Sequence, residues 1–493
     1  MRNVVIAVLV ACLLTPATGL ARFSDAAVQD AIEGGVRFLC DSQRGASWPY
    51  PDDRYSQGPT ALATYALLES LDHVEDEKLR ERAEDAADRA LKWMAEGGTE
   101  MTYGLGLRCQ AFLSAIKRGK PYHRHLRKDV ETLIKSTKNG GYGYHSRGPE
   151  SRGRWDNSNS QYGLLGVWGG RAVGWEIPGS YWRTVYAHWY NTQNPDGGWG
   201  YSAGKSATRA TMTAAGVASM YVCFDNLFAE QFADCDLGRV GEMIQNSLQR
   251  GLEWFDRNFR RTVQGGGNKY YYLYGIERIG VASGYKYFGP VDWYKAGATW
   301  LLRHQHGGGG WRGGRSSSVS TSFALLFLVR GRRPVLFNKL TFDGDWNNRP
   351  RDLASLTRWL SQAFEQPEIN WQIINLDVPP RLWHDAPILY ISGSQRIKLS
   401  AEQIERIRRF VYQGGTIFSV TECRGGGFRR QIRDAYEQMF PRYELEPLSP
   451  DHEIYTRAVQ YELSRNARQL NLQVISNGVR PLVIHTDADL GRP

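Results

Sequence analysis

The chain lacks the apolar runs of a polytopic membrane protein. Mean hydropathy is -0.47 over 493 residues, and beyond the N-terminus no stretch approaches the roughly 20 apolar residues a membrane helix needs. Cysteine is sparse. There are six, with no C-x-x-C, which excludes a zinc ribbon, a thioredoxin-type pair and a disulfide scaffold. Glycine is plentiful (53) but proline is not (20), and no G-X-Y period occurs, which excludes collagen. His123, His125, His145, His188, His304 and His306 are scattered and H-E-x-x-H is missing, so neither a metal nor a cofactor is expected. With 42% apolar and 23% charged residues the composition is that of a globular chain, not a disordered one. At about 150 residues per domain its length predicts two or three domains.

What is present begins with an export signature. Arg2 precedes an apolar segment from Val4 to Leu14, too short to span a bilayer, and Gly19-Leu20-Ala21 forms a small-x-small cleavage site. Residues 1–21 are read as a signal peptide, with a mature start near Arg22 and a bacterial periplasm or cell envelope as destination. Leu9-Val10-Ala11-Cys12 is like a lipobox, but the apolar run before Cys12 is short, so cleavage and not lipidation is expected. Five cysteines then remain, with Cys223 and Cys235 the nearest pair. Charge is uneven. Lys plus Arg number 61 and Asp plus Glu 51 in the chain, but 19 of each fall from Thr341 onward, so the first 340 residues carry the whole +10 excess. That bias suits an acidic glycan or lipid headgroup, while export and the lack of a basic-aromatic motif argue against nucleic acid.

A repeat organises the first two-thirds. Gln43 to Trp48, Gln193 to Trp199 and Gln305 to Trp311 each run from a glutamine through glycines to a tryptophan, and the last two fit Q-x3-G-x-W. The tryptophans lie 151 and 112 residues apart, three and two steps of about 50. Gly97-Gly98, Gly140-Gly141 and Gly265-Gly266-Gly267 are weaker copies, giving six units. Each unit reads as a charged amphipathic helix, a glycine turn, then a helix rich in Ala, Thr, Ser and Gly, such as Thr60 to Ser70 or Thr208 to Val222. The grammar implies an inner ring of small-residue helices within an outer amphipathic ring. Gln is expected to bond backbone at the end of the preceding helix, Gly to allow the turn, and Trp to pack against neighbouring repeats.

These elements resemble the repeats of the squalene-hopene cyclase and protein prenyltransferase superfamily, over roughly Asp25 to Arg332. The resemblance implies an α/α toroid, and its enzymatic members imply signatures to look for. The acidic D-x-D-D is missing, since Pro51-Asp52-Asp53-Arg54 and Asp343-Gly344-Asp345 both fail it. So are D-D-x-x-D, a zinc set (Cys223 and Cys235 have no His nearby) and G-C-G-E-Q. A fold does not carry its chemistry with it, so the toroid is expected to bind a small molecule, a lipid, a glycan or an envelope protein. The enzymatic alternatives are a divergent catalyst on isoprenoids or, since such toroids also serve polysaccharide lyases, on acidic polysaccharide. Candidate binding residues at the toroid mouth are Trp155, Asp156, Trp199, Arg209, Trp311 and Arg315, with Tyr142 and Tyr144 as further stacking surfaces; Asn157, Ser206 and Ser318 are expected helix caps.

From Val335 strands and helices alternate. Val335 to Leu340, Asn370 to Leu376, Pro387 to Ile391, Thr416 to Val420 and Arg480 to His485 read as strands. Asp352 to Ala363, Ser400 to Tyr412 and Gly427 to Phe440 read as helices, with Ser400 and Gln403 in a capping box. The pattern predicts a three-layer, doubly wound α/β domain. Asn348-Arg349-Pro350, Asp352-Leu353, Leu389 to Gly393, Leu399-Ser400 with Gly414-Gly415, Phe440-Pro441 and Leu448 to His452 resemble the domain-of-unknown-function 4159 family, whose fold is similar to flavodoxin and class I glutamine amidotransferases. The resemblance implies a domain continuing past Asp489-Leu490-Gly491, so a last strand and helix are expected to be lacking here. It places Cys423 where an amidotransferase holds its nucleophile, with Glu422 and His485 as acid-base partners, but the G-x-C-x-G elbow is missing and no His-Pro-Glu follows, so a structural Cys423 is the expectation and a nucleophile the alternative. Arg349, Asp352, Tyr390 and Ser392 are expected in the crevice beyond the strand ends. The division is therefore 1–21 signal, 22–332 toroid and 333–493 α/β domain.

Overall fold

The structure is a computed structural model that describes residues 23–52, 57–147, 155–202, 206–227, 238–265, 267–314, 316–363, 368–423, 425–449, 452 and 471–490. The signal segment, Cys12, Cys235 and Arg315 lie outside the described residues, and with them the expectations that rest on them.

Small side chains set the inner layer. Helices α2 (Gln57–Ser70), α4 (Thr102–Lys117), α6 (Asn157–Ala172), α8 (Ala210–Leu227), α10 (Lys269–Ser283) and α12 (Ser317–Gly331) are buried on nearly every side. Gly106 shows why: a Cβ there would lie 2.3 Å from the Tyr162 carbonyl oxygen, so only glycine lets α4 and α6 approach this closely. Each inner helix packs on the next, and α12 returns to α2, closing a ring. The amphipathic helices α1 (Asp25–Ser42), α3 (Glu77–Glu96), α5 (His123–Ser136), α7 (Gly179–Asn191), α9 (Gly238–Thr262) and α11 (Trp293–His304) pack outside it.

The three tryptophan turns are bonded alike. The indole N–H of Trp48, Trp199 and Trp311 donates to the carbonyl of Leu39, Trp189 and Leu301 at 2.9, 2.8 and 2.9 Å. Their backbone N–H groups donate to the hydroxyls of Thr60, Thr213 and Thr321 on the following inner helix. The glutamines depart from expectation. Gln43, Gln193 and Gln305 donate to the carbonyls of Ala86, Ser247 and Ala31, each on the next outer helix and not the preceding one. The side chain is long enough to leave its own helix end, and so it ties neighbouring outer helices. Gln305 to Ala31 ties the last to the first.

The C-terminal unit holds a seven-stranded sheet among the described residues. Its strands are β1 (Val335–Thr341), β2 (Asn370–Asn375), β3 (Ile388–Gly393), β4 (Thr416–Thr421), β5 (Glu446–Pro447), β6 (Gln473–Ser476) and β7 (Pro481–Thr486) in the order β2-β1-β3-β4-β7-β6-β5. The first five positions are parallel, and β6 and β5 complete the edge antiparallel. Helix α13 (Asp352–Ala363) covers one face with Leu353 and Ala354 against Trp371 and Ile373. Helices α14 (Ala401–Tyr412) and α15 (Gly426–Met439) cover the other with Phe410, Phe428 and Ile432. The capping box at Ser400 and Gln403 forms. The free edge of β2 is covered by the ring: the Ile373 N–H donates to the Gly284 carbonyl at 2.6 Å, beside a parallel bridge from Tyr285. Arg351 forks onto Asp225 of α8 at 2.7 and 3.0 Å, and Lys286 pairs with Asp385, adding ionic ties across the same junction.

Candidate functional site

Among the described residues, two of the places where polar side chains gather differ in access. The first is an open cleft of about 510 Å³ on the outside of the ring. Arg183, Thr184, Ala187, His188 and Asn191 follow helical spacing along one stripe of α7 and form its floor, with Asn139 and Trp155 at its walls. The turn before Trp155 explains how it forms. Lys138 and Gly141 exchange backbone hydrogen bonds at 2.9 and 3.0 Å around Asn139 and Gly140, both left-handed at φ 49° and 86°. A Cβ on Gly140 would lie 2.3 Å from the Thr184 carbonyl oxygen, and one on Gly141 2.9 Å from both Trp155 and His188. The glycine pair thus lays the turn flat on α7. His188 meets Trp155 edge-on at 4.4 Å and places Nε2 3.0 Å from Asn157 Oδ1. Burial holds the imidazole down to about 4, so it is neutral at neutral pH.

The glycine turn makes a prediction. Gly140→Ala should lower thermal stability by more than about 1 kcal/mol, because it combines a left-handed backbone with a backbone collision. Gly174 is as left-handed, at φ 87°, but has open space around it, so Gly174→Ala should cost less. Equal melting shifts for the two would remove the turn-on-helix contact as the cause.

The other mouth candidates fall out differently. Trp199 and Trp311 are fully buried and Tyr142 is 1% exposed, so the expectation that they meet a ligand is corrected: the turns that hold them place them in the core. Asp156 is also buried. It accepts from the backbone N–H of Asn159 at 2.9 Å, from the Asn159 amide at 2.7 Å and from Ser158 Oγ at 2.5 Å, so it, and not Asn157, caps α6. Arg209 is exposed and rests over the Tyr201 ring at 5.4 Å; Tyr201 bonds the exposed Tyr144, OH to OH at 2.9 Å.

The second place is the carboxyl end of the parallel strands. Strands β2 and β3 lie on either side of β1, so the chain winds away in opposite directions there and leaves a crevice. Lys339, fully buried on β1, donates to both oxygens of Asp352 at 2.8 and 2.9 Å and to the Arg349 carbonyl at 3.1 Å. Arg349 forks onto Asp489, with one contact at 3.0 Å. Glu422 accepts from Asn348 Nδ2 at 3.1 Å, and Ser394 Oγ donates to Asn348 Oδ1 at 3.2 Å. Burial, reinforced by the Asp352 charge and opposed by Lys339 and Arg349, pushes the Glu422 carboxyl up to about 7. The Tyr390 ring lies 5.9 Å from the Lys339 ammonium, and the buried Ser392 Oγ has no hydrogen-bond partner among the described residues. The structure places Arg349, Asp352, Tyr390 and Ser392 together with Glu422, which is expected instead as a partner of Cys423, and packs them shut: Glu422 and Ser392 are each 1% exposed.

Cys423 and His485 do not join them as a nucleophile and its base. Cys423 is disulfide-bonded, so it carries no thiol; Cys40, Cys109 and Cys223 are free, so Cys223 is not paired with its nearest neighbour in sequence, Cys235. Cys423 does sit in a left-handed turn after β4, at φ 54°, with its N–H donating to Asp489 Oδ2 at 2.9 Å. His485 turns toward α15. Its Nδ1 is 2.8 Å from Ser419 Oγ and its Nε2 3.1 Å from Asp487 Oδ1, while Tyr436 OH donates to Ser419 at 2.6 Å. This serine–histidine–aspartate chain was not legible in the sequence, because its members come from neighbouring strands in register, Ser419 opposite His485. Ser419 and His485 are fully buried, so the chain pins the sheet to α15 and its serine and imidazole meet no solvent. The ring centre is closed as well: Tyr162, Tyr274 and Glu277 are each 2% exposed or less, and both Glu277 oxygens lack hydrogen-bond partners among the described residues, with Arg330 Nη1 3.5 Å away. Burial pushes the Glu277 carboxyl up.

Among known protein families, the model described as Domain of unknown function (DUF4159) matches residues 336–492. A search of the curated proteins returns no match. Among solved structures, a type II terpene cyclase, MstE from Scytonema, without ligand, is similar at 14% identity and a TM-score of 0.41, over 62% of this chain and 97% of that one. A variant of the same cyclase, in complex with geranylgeranyl dihydroxybenzoate, is similar at 13% identity and 0.41 over the same shares. Likeness at that level transfers no substrate and no residue role.

Proposed function

We propose that this is an exported bacterial envelope protein, matured near Arg22, whose helical ring is an α/α toroid serving as a binding scaffold and not as a catalyst. The cleft beside Trp155 is its ligand site, and a glycan is its class of ligand. One observation carries the reading: at the cleft an aromatic face and the amides of Asn139 and Asn191, unengaged among the described residues, meet solvent, whereas Glu422, Ser419 and Glu277 are sealed. A partly exposed indole flanked by Asn139, Asn191 and Thr192 suits the alternating apolar and hydroxyl faces of a sugar. An isoprenoid would need a dry cavity in the ring, and packed tyrosines fill that centre. The disulfide at Cys423 suits an oxidising compartment.

An oligosaccharide array with the mature protein and Trp155→Ala tests the binding reading. Binding that the substitution abolishes supports it. No binding to any saccharide, or binding that Trp155→Ala leaves intact, rejects it. N-terminal sequencing of the chain from a cell-envelope fraction tests export: a start near residue 22 is expected, and an intact Met1 in the cytosol would reject that part.

A further inference from the structure

We infer that the Trp155 cleft selects acidic sugars, with Arg183 as the residue that reads the carboxylate or sulfate group; this rests on the cleft being the ligand site. Arg183 is exposed on α7, lines the cleft, and its side chain makes no hydrogen bond or ion pair among the described residues. The buried arginines are, by contrast, spoken for: Arg108 with Asp129, Arg349 with Asp489 and Arg351 with Asp225. A guanidinium with nothing to hold, at the wall of a cleft, offers five donors in a planar fork that matches a carboxylate or sulfate.

The surroundings point the same way. None of the described residues that line the cleft is acidic, and the nearest carboxylate in sequence, Asp156, is buried in its capping bonds. The neighbouring ring nitrogen base, His188, is neutral and committed to Asn157, so it neither repels nor attracts charge. The side-chain amides of Asn139 and Asn191 are likewise unengaged among the described residues, and they stand ready to take sugar hydroxyls. Stacking on Trp155 then orients the ring, and Arg183 distinguishes a sugar acid from its neutral counterpart. The cleft volume falls within the range of about 300–1,000 Å³ common to ligand sites, and its open side accommodates an oligomer.

Calorimetric titration of the full mature chain with three probes decides this: a polygalacturonate oligomer, a sulfated galactan oligomer and a neutral galactan oligomer, each at low and high salt. The acidic oligomers should bind at least about tenfold tighter than the neutral one, and high salt should narrow the gap. Arg183→Gln should abolish the gap by bringing the acidic oligomers down to the level of the neutral one, and Trp155→Ala should weaken all three. Preference for one acidic oligomer identifies carboxylate or sulfate as the group read. Equal binding of neutral and acidic oligomers, or a gap that survives Arg183→Gln, overturns the inference while leaving the cleft as a glycan site. Failure of all three, with Trp155→Ala indistinguishable from wild type, overturns the cleft reading itself. Neither side chain is buried, and matching melting curves show that the fold is intact.

Discussion

Trp199→Ala should be among the most damaging single substitutions in the ring, with a loss of about 3–5 kcal/mol. Trp199 is fully buried where α7, α8 and α9 meet. Its seat is built by glycines: a Cβ on Gly216 would lie 2.3 Å from Trp199 Cδ2 and one on Gly251 3.1 Å from Cζ3, so two helices give up side chains to admit the indole. Truncation therefore leaves a cavity bounded by glycine backbone, which has no side chain with which to fill it. Two hydrogen bonds are affected differently. The indole N–H to the Trp189 carbonyl, at 2.8 Å, is lost, while the backbone N–H to Thr213 remains possible. Trp199→Phe separates these effects: it keeps most of the volume, drops the indole bond, and should cost about 1–2 kcal/mol. Trp311→Ala should behave the same way, since a Cβ on Gly35 would lie 2.9 Å from Trp311 and the Leu301 carbonyl takes its N–H. Denaturant unfolding followed by helical signal measures all three. A loss under about 1 kcal/mol for Trp199→Ala would mean that the turns decorate the ring and do not hold it together.

That prediction was within reach of the sequence because the tryptophan turns are local. Spacing gave the repeats, and the bonds from Trp48, Trp199 and Trp311 stay within about 15 residues. The capping box at Ser400 was legible for the same reason. The long-range partners were not. Gln305 reaches Ala31, and no local pattern tells which carbonyl a glutamine amide will find. Trp155, Trp199 and Trp311 were alike as aromatic candidates near glycines, yet burial separates one from the other two. Their backbone pairing makes the difference. Trp199 and Trp311 each close a two-stranded bridge with their glutamine, Gln193 and Gln305, which folds the indole inward. Trp155 precedes the Asp156 cap instead. In the α/β domain, strand alternation exposed the crevice, so Arg349, Asp352, Tyr390 and Ser392 were placed together from sequence, while Glu422 was legible only as a neighbour of Cys423. Whether that crevice is open depends on side chains from several elements, which alternation does not encode. Cys423 shows the same limit: its position after β4 was readable and its disulfide was not.

The crevice leads to the other large effect, which is a pH dependence. Glu422→Gln should make the protein more stable than wild type above neutral pH, by on the order of 3 kcal/mol, and should bring no such gain below about pH 4.5. The sign comes from the direction of the shift. Burial first, then the Asp352 charge, raises the folded-state pKa from 4.5 to about 7. Below the unfolded value both states hold the proton and nothing is lost. Between the two values the unfolded chain gives up its proton while the folded chain keeps it, so stability falls as pH rises, and the loss is complete once the folded state ionises. Glutamine removes the titration while keeping an oxygen for Asn348 Nδ2, now 3.1 Å from the carboxyl. Glu368, which the cations Arg333 and Lys117 hold near 2 and whose contribution disappears only on strong acidification, is common to both proteins and cancels in the difference. Unfolding free energies at several pH values from 4 to 8 read the result. A difference between wild type and Glu422→Gln that widens through this window locates the proton on Glu422. A constant difference would place it elsewhere in the crevice, and Asp352→Asn, which leaves Lys339 buried without its carboxylate, would then be expected to destabilise strongly at every pH.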